Sequence, residues 1–274
     1  MNLRYAGIGM TSARTRGRLI ERLRAEGIAD ETVLAAMSEV PRHIFVDEAL
    51  ATRAYDDVSL PIGHGQTISQ PYIVARMTEV LRNGKQLNRV LEVGTGCGYQ
   101  AAVLSKVAKE VYSVERIQPL YERARKTLRE LKIFNTNLRY ADGAAGLPDA
   151  APFDGIIMAC AAPALSAVLR EQLAVGGRMV LPMGTQEQYL YLIERDESGF
   201  RETRLDAVKF VPLVMGKAWA NRCCTGEYGR WLHLRWQAAP SLRRMATVRP
   251  SWNTVQTTGR PFPRRKSQQA GRCR

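Results

Sequence analysis

The stretch Val90-Leu-Glu-Val-Gly-Thr-Gly-Cys-Gly98 decides how the rest of the chain is read. A short apolar run, Arg89–Val93, has the character of a buried strand and leads straight into glycines at 94, 96 and 98. Beyond them, Tyr99–Ala108 carries Ala101, Ala102, Leu104 and Val107 at helical spacing. A strand, a glycine turn and a helix in that order form a recurrent ligand-binding corner. The glycines let the backbone turn sharply and come close to a ligand. The free amides at the helix start favour an electron-rich group.

Working outward, the ends of the neighbouring strands carry acids. Glu115 closes a second strand, Glu110–Glu115, about 20 residues on, where a carboxylate can hold both hydroxyls of a ribose. Asp142-Gly143 follows a third strand around Asn137–Ala141, where an acid can accept from an adenine amino group. Two cofactor classes use this geometry, adenosylmethionine and the nicotinamide dinucleotides. The glycines run G-x-G-x-G, and Tyr99 stands where the dinucleotide fingerprint wants glycine. Glu92 precedes the turn, and an acid there suits a cationic, amino-acid-bearing ligand better than a pyrophosphate. A lone glycine triplet could be an ordinary tight turn. Glu92, Glu115 and Asp142 at successive strand ends favour S-adenosyl-L-methionine.

The alternation continues through a strand at Phe153–Cys160, a helix at Ala164–Leu173 and a strand at Arg178–Met183. Pro119–Leu131 is an Arg-rich amphipathic helix with proline near its start. Gln188–Arg195 and Arg201–Val211 then follow as strands with no helix between them. The fold class expected is α/β: a doubly wound, mostly parallel sheet with an antiparallel edge hairpin and an N-terminal helical extension. Upstream, Leu19, Ile20 and Leu23 share one helical face, and Asp30 can cap a second helix through Val33, Leu34, Met37 and Val40 that Pro41 ends. Ser59–Pro71 reads as a long ordered loop. The expected organisation is thus 1–88, helical and loop-like; 89–216, the cofactor-binding domain; and 217–274, a tail.

Charge separates the tail from the body. The chain of 274 residues has a net charge of +14, which on its own suggests nucleic acid. Residues 217–274 hold 13 Lys and Arg and one acid, Glu227, a net +12. Residues 1–216 hold 27 basic and 25 acidic residues, a net +2. Nucleic acid is therefore not expected as a partner of the body, and only the tail offers it a grip. That tail also holds all four tryptophans, Trp219, Trp231, Trp236 and Trp252, and reads as a poorly ordered basic extension. Five cysteines fit neither a disulfide framework nor a zinc site, and the three histidines are scattered, so reduced thiols and no metal are expected. No run approaches the roughly 18 apolar residues that span a bilayer, and no secretory signal is read in Met1–Gly27. A cytoplasmic monomer with no membrane association is expected.

A second run, Leu60-Pro-Ile-Gly-His-Gly-Gln-Thr-Ile-Ser-Gln-Pro71, could be no more than a glycine-rich surface loop. With its companions it resembles the protein-L-isoaspartate O-methyltransferase family of the bacterial type. Those companions are Val40-Pro-Arg, Phe45-Val-Asp-Glu, Ala75-Arg-Met-Thr-Glu79, Leu91–Gln100, Ser113-Val-Glu-Arg116, Asp142-Gly143, Pro152-Phe-Asp154 and Phe210-Val-Pro-Leu213. The likeness covers roughly residues 11–216, and the Gly-Gln-Thr-Ile-Ser-Gln-Pro run is its most specific part. The chain departs from the family in Cys97, where serine is usual, and in the 58 residues from Lys217 onward.

The resemblance implies methyl transfer from S-adenosyl-L-methionine to the carboxylate of isoaspartyl residues in damaged proteins and peptides. It implies that Ser69 is the active-site serine and that Thr67 and Ile68 line the space between cofactor and substrate. It gives Glu92, Gly94, Gly96, Gly98, Glu115, Asp142 and Gly143 to the cofactor. His64 is read as packing the loop. Competing readings are a methyltransferase for RNA or a small molecule, a nicotinamide oxidoreductase, and a binding protein that kept the fold without the chemistry.

Overall fold

The computed structural model describes residues 7–218. The N-terminal part begins with α1 (Ala13–Ala25), whose buried face is Leu19, Ile20 and Leu23, and whose first turn is capped by the Ser12 hydroxyl. Next comes α2 (Glu31–Glu39), where the Asp30 carboxylate accepts from the backbone N–H of Thr32 and Val33 at 2.9 and 3.3 Å. The other Asp30 oxygen pairs with Arg82 at the end of α3 (Pro71–Arg82), which ties the two helices together. Asn83, at φ +46°, turns the chain out of α3.

Between α2 and α3 the structure departs from the expected loop. Residues 59–71 contain a hairpin of β1 (Leu60–Gly63) and β2 (Gln66–Ile68), with Leu60 opposite Ile68 and Pro61 opposite Thr67. His64 and Gly65 make its tip, both at positive φ, 53° and 68°. Two consecutive residues in that region give the turn that matches strand twist. Leu60, Ile62 and Ile68 are buried, so the hairpin is anchored on the core by one face.

The main sheet is built from β3 (Leu87–Val93), β4 (Ala108–Glu115), β5 (Thr136–Tyr140), β6 (Phe153–Met158), β7 (Leu173–Met183), β8 (Gln188–Asp196) and β9 (Gly199–Val208). Its order is β5-β4-β3-β6-β7-β8-β9, parallel from β5 to β7 and antiparallel for the last two strands. Neighbouring residues on a strand serve opposite faces. Val90, Val111, Ile157 and Val180 pack on the side of the N-terminal helices, and Leu91, Val114, Ile156, Met158, Met179 and Leu181 pack on the other. This two-sided burial is why the strands read as continuous apolar runs. The other α-helices among the described residues are α4 (Tyr99–Leu104), α5 (Gln118–Glu130) and α6 (Ala167–Glu171).

Two helices are shorter than their apolar spacing predicts. The helix expected over 99–108 ends at Leu104, because Ala108 already pairs with Leu87 in the sheet. The helix expected over 164–173 is confined to Ala167–Glu171, because Leu173 already pairs with Phe153. Correspondingly, β7 begins five residues before Arg178, running through Gly176-Gly177.

Chain order places the crevice. From β3 the chain moves outward to β4 and β5, then returns to the opposite side of β3 as β6. The loops that leave β3 and β6 therefore part in opposite directions, and the gap they leave outside the carboxyl ends is where such sheets bind ligands. Among the described residues, no helix is long and apolar enough to cross a membrane. The expectations for the tail lie outside the described residues, apart from Lys217 and Ala218.

Candidate active site

The glycine turn is shaped by the strand beside it. After Val93, the N–H groups of Gly94 and Thr95 both donate to the Val114 carbonyl, at 2.9 and 3.2 Å. The Gly96 N–H then donates to Glu115 Oε2 at 2.8 Å, and the Ile117 N–H to Glu115 Oε1, also at 2.8 Å. Glu115 thus clasps the turn and the start of its own following loop with one carboxylate. Gly96 and Gly98 sit at φ +56° and +91°, where a side chain is strained. A Cβ on Gly98 would also lie 3.2 Å from the Ala124 Cβ, so Gly98 brings α5 against the turn and stands outside the cavity lining.

A cavity opens at this point. Thr67, Ile68 and Ser69 form one side and Glu92, Gly94 and Gly96 the other. Glu115 and Gly143 extend the floor, Ala159 and Cys160 follow β6, and Pro212, Leu213 and Val214 cover it from the C-terminal side. The hairpin meets the turn through Ile62, whose Cδ1 lies 3.3 Å from where a Cβ on Gly96 would be. Asp57 fixes the exit from the Ser69 loop: it accepts from the Gln70 side chain at 2.6 Å and from the Tyr72 N–H at 2.8 Å. Asp142 lies just behind the lining. Its Oδ1 accepts from the Ala144 N–H at 2.9 Å and its Oδ2 from the Gly216 N–H at 2.6 Å. His64, at the exposed hairpin tip, is also outside the lining.

Among the described residues that line the cavity, the charged ones are Glu92, Glu115 and Arg116. Glu92 is fully buried; Ser113 donates to its Oε2, and the Thr95 hydroxyl lies 2.5 Å from that of Ser113. Its Oε1 has no hydrogen-bond partner among the described residues. Burial pushes the Glu92 carboxyl up to about 8, the Ser113 hydrogen bond pulls it down, and nearby Glu115 raises it further. Burial likewise raises Glu115, against the pull of its backbone N–H donors. Burial pushes the Cys97 and Cys160 thiols up to about 11 and 12, so both stay protonated at neutral pH.

The raised Glu92 value has a sign that can be measured. Below its ordinary value of 4.5 the carboxyl is protonated folded or unfolded. As pH rises from there towards about 8, only the unfolded chain releases the proton, so the ligand-free fold loses stability across that window. Glu92→Gln should remove this slope. Calorimetry from pH 5.5 to 8.5 should show melting temperature falling more steeply for the parent than for the variant; parallel curves would show that Glu92 is ionised throughout.

Sequence reasoning missed several lining residues. Thr95, and Ser113 behind Glu92, carry no spacing signal of their own. Ala159 and Cys160 could have been found from the rule that ligands sit at strand ends where the order reverses. Pro212, Leu213 and Val214 are more than a hundred positions from the glycine turn, and only the Phe210-Val-Pro-Leu213 run hinted at them.

The fold and this cavity have known counterparts. The family model for protein-L-isoaspartate(D-aspartate) O-methyltransferase matches residues 14–218. A protein-L-isoaspartate O-methyltransferase from Methylobacillus flagellatus is 65% identical over 215 residues, covering 77% of this chain and 96% of that protein. One from Nitrosomonas europaea is 60% identical over 218 residues, covering 79% and 98%. A solved protein-L-isoaspartate O-methyltransferase superposes with a TM-score of 0.68 at 28% identity, covering 73% of this chain and 67% of that one. A Plasmodium falciparum structure of the same description, in complex with S-adenosyl-L-homocysteine, gives 0.61 at 28% identity, covering 72% and 97%.

Proposed function

The chain belongs to the protein-L-isoaspartate(D-aspartate) O-methyltransferase family, and from that premise we propose which of its residues do the work and how. Its activity is methyl transfer from S-adenosyl-L-methionine to the carboxylate of L-isoaspartyl residues, a protein-repair reaction. The observation that carries the residue assignment is a cavity in which the Ser69 loop faces the glycine turn and two buried acids.

The cavity suits the cofactor's chemistry. The Oε1 of buried Glu92 has no hydrogen-bond partner among the described residues; a cofactor ammonium would donate to it, and its charge would favour the ionised carboxylate that burial disfavours. Gly94 and Gly96 give backbone approach, Glu115 stands at the ribose position, and Gly143 borders the adenine end with Asp142 behind it. Gly98 serves the cofactor by seating α5 behind the turn. When bound, S-adenosyl-L-methionine supplies an electrophilic methyl group on a sulfonium.

The chain's own residues then have little proton chemistry to perform. A substrate carboxylate has an ordinary pKa of roughly 4 and is already ionised at neutral pH, so no general base is required. Ser69 donates a hydrogen bond that aims this carboxylate, while Thr67 and Ile68 hold the space between the two reactants. Alignment of this kind can be worth up to roughly 7–11 kcal/mol. The protonated thiols of Cys97 and Cys160 are poor nucleophiles, in keeping with direct transfer to substrate. In the product methyl ester the neighbouring backbone amide nitrogen attacks the ester carbonyl and methanol leaves, giving spontaneously a succinimide that water reopens in part to normal aspartate.

This reading places the enzyme in the cytoplasm as a monomer whose partners are isoaspartyl proteins and peptides. Any nucleic-acid affinity resides in 217–274. The transferred methyl should be recovered as methanol after mild alkaline treatment, because it is held as an ester. NADH should not compete for the cofactor. An alkali-stable methyl group would instead favour the RNA or small-molecule reading.

The tail can be tested separately. The sequence places the end of the body at Gly216, but Ala218 is still tied in: its N–H donates to the Arg116 carbonyl at 2.7 Å and its carbonyl accepts from Gln118 N–H and Tyr140 O–H. A chain truncated after Ala218 should keep its melting temperature and turnover within about twofold and bind cation-exchange resin more weakly. Insolubility of that chain would make the tail part of the fold.

A further inference from the structure

Residues 210–218 cross the carboxyl ends of the sheet as a strap. At its start, Phe210 exchanges two hydrogen bonds with the Gln188 side chain, at 2.6 and 3.2 Å. The strap then makes one short parallel bridge beyond β6: Ala161 N–H donates to the Val211 carbonyl and Leu213 N–H to the Ala161 carbonyl, both at 2.8 Å. Pro212, Leu213 and Val214 lie over the cavity, and Met215 is exposed. At the far side Gly216 is gripped from both directions. Its N–H donates to Asp142 Oδ2 at 2.6 Å, and its carbonyl accepts from Arg116 Nε at 2.7 Å.

Two features set this grip apart from ordinary packing. Among the described residues, the strap has no register with a neighbouring strand between the Ala161 bridge and the bridge of Ala218 to Ile117. Across that interval its described hydrogen bonds come from Asp142 and Arg116, the residues that follow β5 and β4 at the cofactor end. Gly216 also adopts φ +77°, a conformation that lets both its polar groups be taken at once.

We propose that Asp142 and Arg116 are positioning residues for the reaction: by gripping Gly216 from both sides they latch the strap over the cavity, and cofactor entry and product departure pass through release of that latch. The proposal rests on the reading that this cavity holds the cofactor. It gives Asp142 a duty distinct from contact with adenine, and it makes Leu213 and Val214 a removable wall.

The test uses the full chain and Gly216→Ala, a change outside the cavity lining. A Cβ at that position meets nothing within 4 Å, so the variant strains only the left-handed backbone of the latched state. That strain is about 1–2 kcal/mol, which corresponds to roughly 5- to 30-fold in the population of the open strap. Stopped-flow measurement with S-adenosyl-L-homocysteine should show association and dissociation both faster by about that factor, with Kd nearly unchanged. Asp142→Asn, which leaves one acceptor for two N–H donors, should move both rates the same way. A rise in dissociation alone would mean damage to the binding surface and would overturn the latch.

A ligand-free readout separates the latch from the cavity reading. Cys97 and Cys160 are buried in the cavity under the strap. Their labelling by a small thiol reagent, mapped by mass spectrometry, should accelerate in Gly216→Ala by a similar factor. Unchanged labelling together with unchanged exchange overturns the latch. Faster labelling with unchanged exchange shows a working strap over a cavity that the cofactor does not use, and overturns the link between them.

Discussion

Replacing Ser69 with alanine should lower turnover by about 10- to 1000-fold, or roughly 1.4–4 kcal/mol at about 1.4 per decade, while cofactor affinity stays nearly constant. Ser69 lies on the hairpin side of the cavity, opposite the glycine turn, and its loop is held from behind by Asp57. On the proposed reading, loss of its hydroxyl should remove a hydrogen bond to substrate and leave the cofactor wall intact. The effect falls short of a nucleophile's because the attacking group, a carboxylate, belongs to the substrate and needs no activation. At saturating cofactor the parent's turnover should be flat with pH above about 6, since no group near neutrality must change its proton in the step. A covalent adduct at Ser69, or a rising limb near pH 7 that vanishes in the alanine variant, would mean that the serine is activated. Full activity in the variant would remove Ser69 from the site.

Glu115→Ala should weaken adenosylmethionine binding by at least about tenfold, the equivalent of losing charge-assisted hydrogen bonds of roughly 1.5–3 kcal/mol. The structure adds a second consequence. Each oxygen of Glu115 already accepts a backbone N–H, from Gly96 and from Ile117, so the alanine strands two donors beneath the glycine turn. Stranded buried donors cost about 1–3 kcal/mol each, and the melting temperature of the ligand-free protein should fall by several degrees. Glu115→Gln keeps one acceptor and should lie between. Calorimetry that finds unchanged affinity in the alanine variant would remove the ribose role, whereas unchanged stability would show the turn to be held by other means.

The residues that could be placed from sequence are those whose chemistry is local to a strand end. Glu92, Gly94, Gly96, Glu115 and Gly143 line one cavity with Thr67, Ile68 and Ser69, because a parallel sheet brings every strand's carboxyl end to the same edge. Gly98 and Asp142 lie just behind that lining, where their first partners are Ala124 and the backbone of residues 144 and 216. The hairpin escaped notice because its strands are three or four residues long, Pro61 and the glycines interrupt the alternation, and a histidine supplies one of the positive φ angles of its tip. The length of β7 was hidden by Gly176-Gly177, a pair that local propensity assigns to a turn. The strap could not be read from spacing at all: its place over the cavity depends on the full run of β7, β8 and β9 returning the chain to the cofactor edge.

The most direct measurement is a methyl-transfer assay on two peptides of identical sequence, one carrying aspartate and the other isoaspartate at a single position. Labelled S-adenosyl-L-methionine is the donor, and the product is scored as alkali-labile methyl ester. Transfer to the isoaspartyl peptide that depends on Ser69, with none above background to its aspartyl twin, is the result expected. Equal methylation of both peptides, or of neither by a protein that binds the cofactor, would contradict the account.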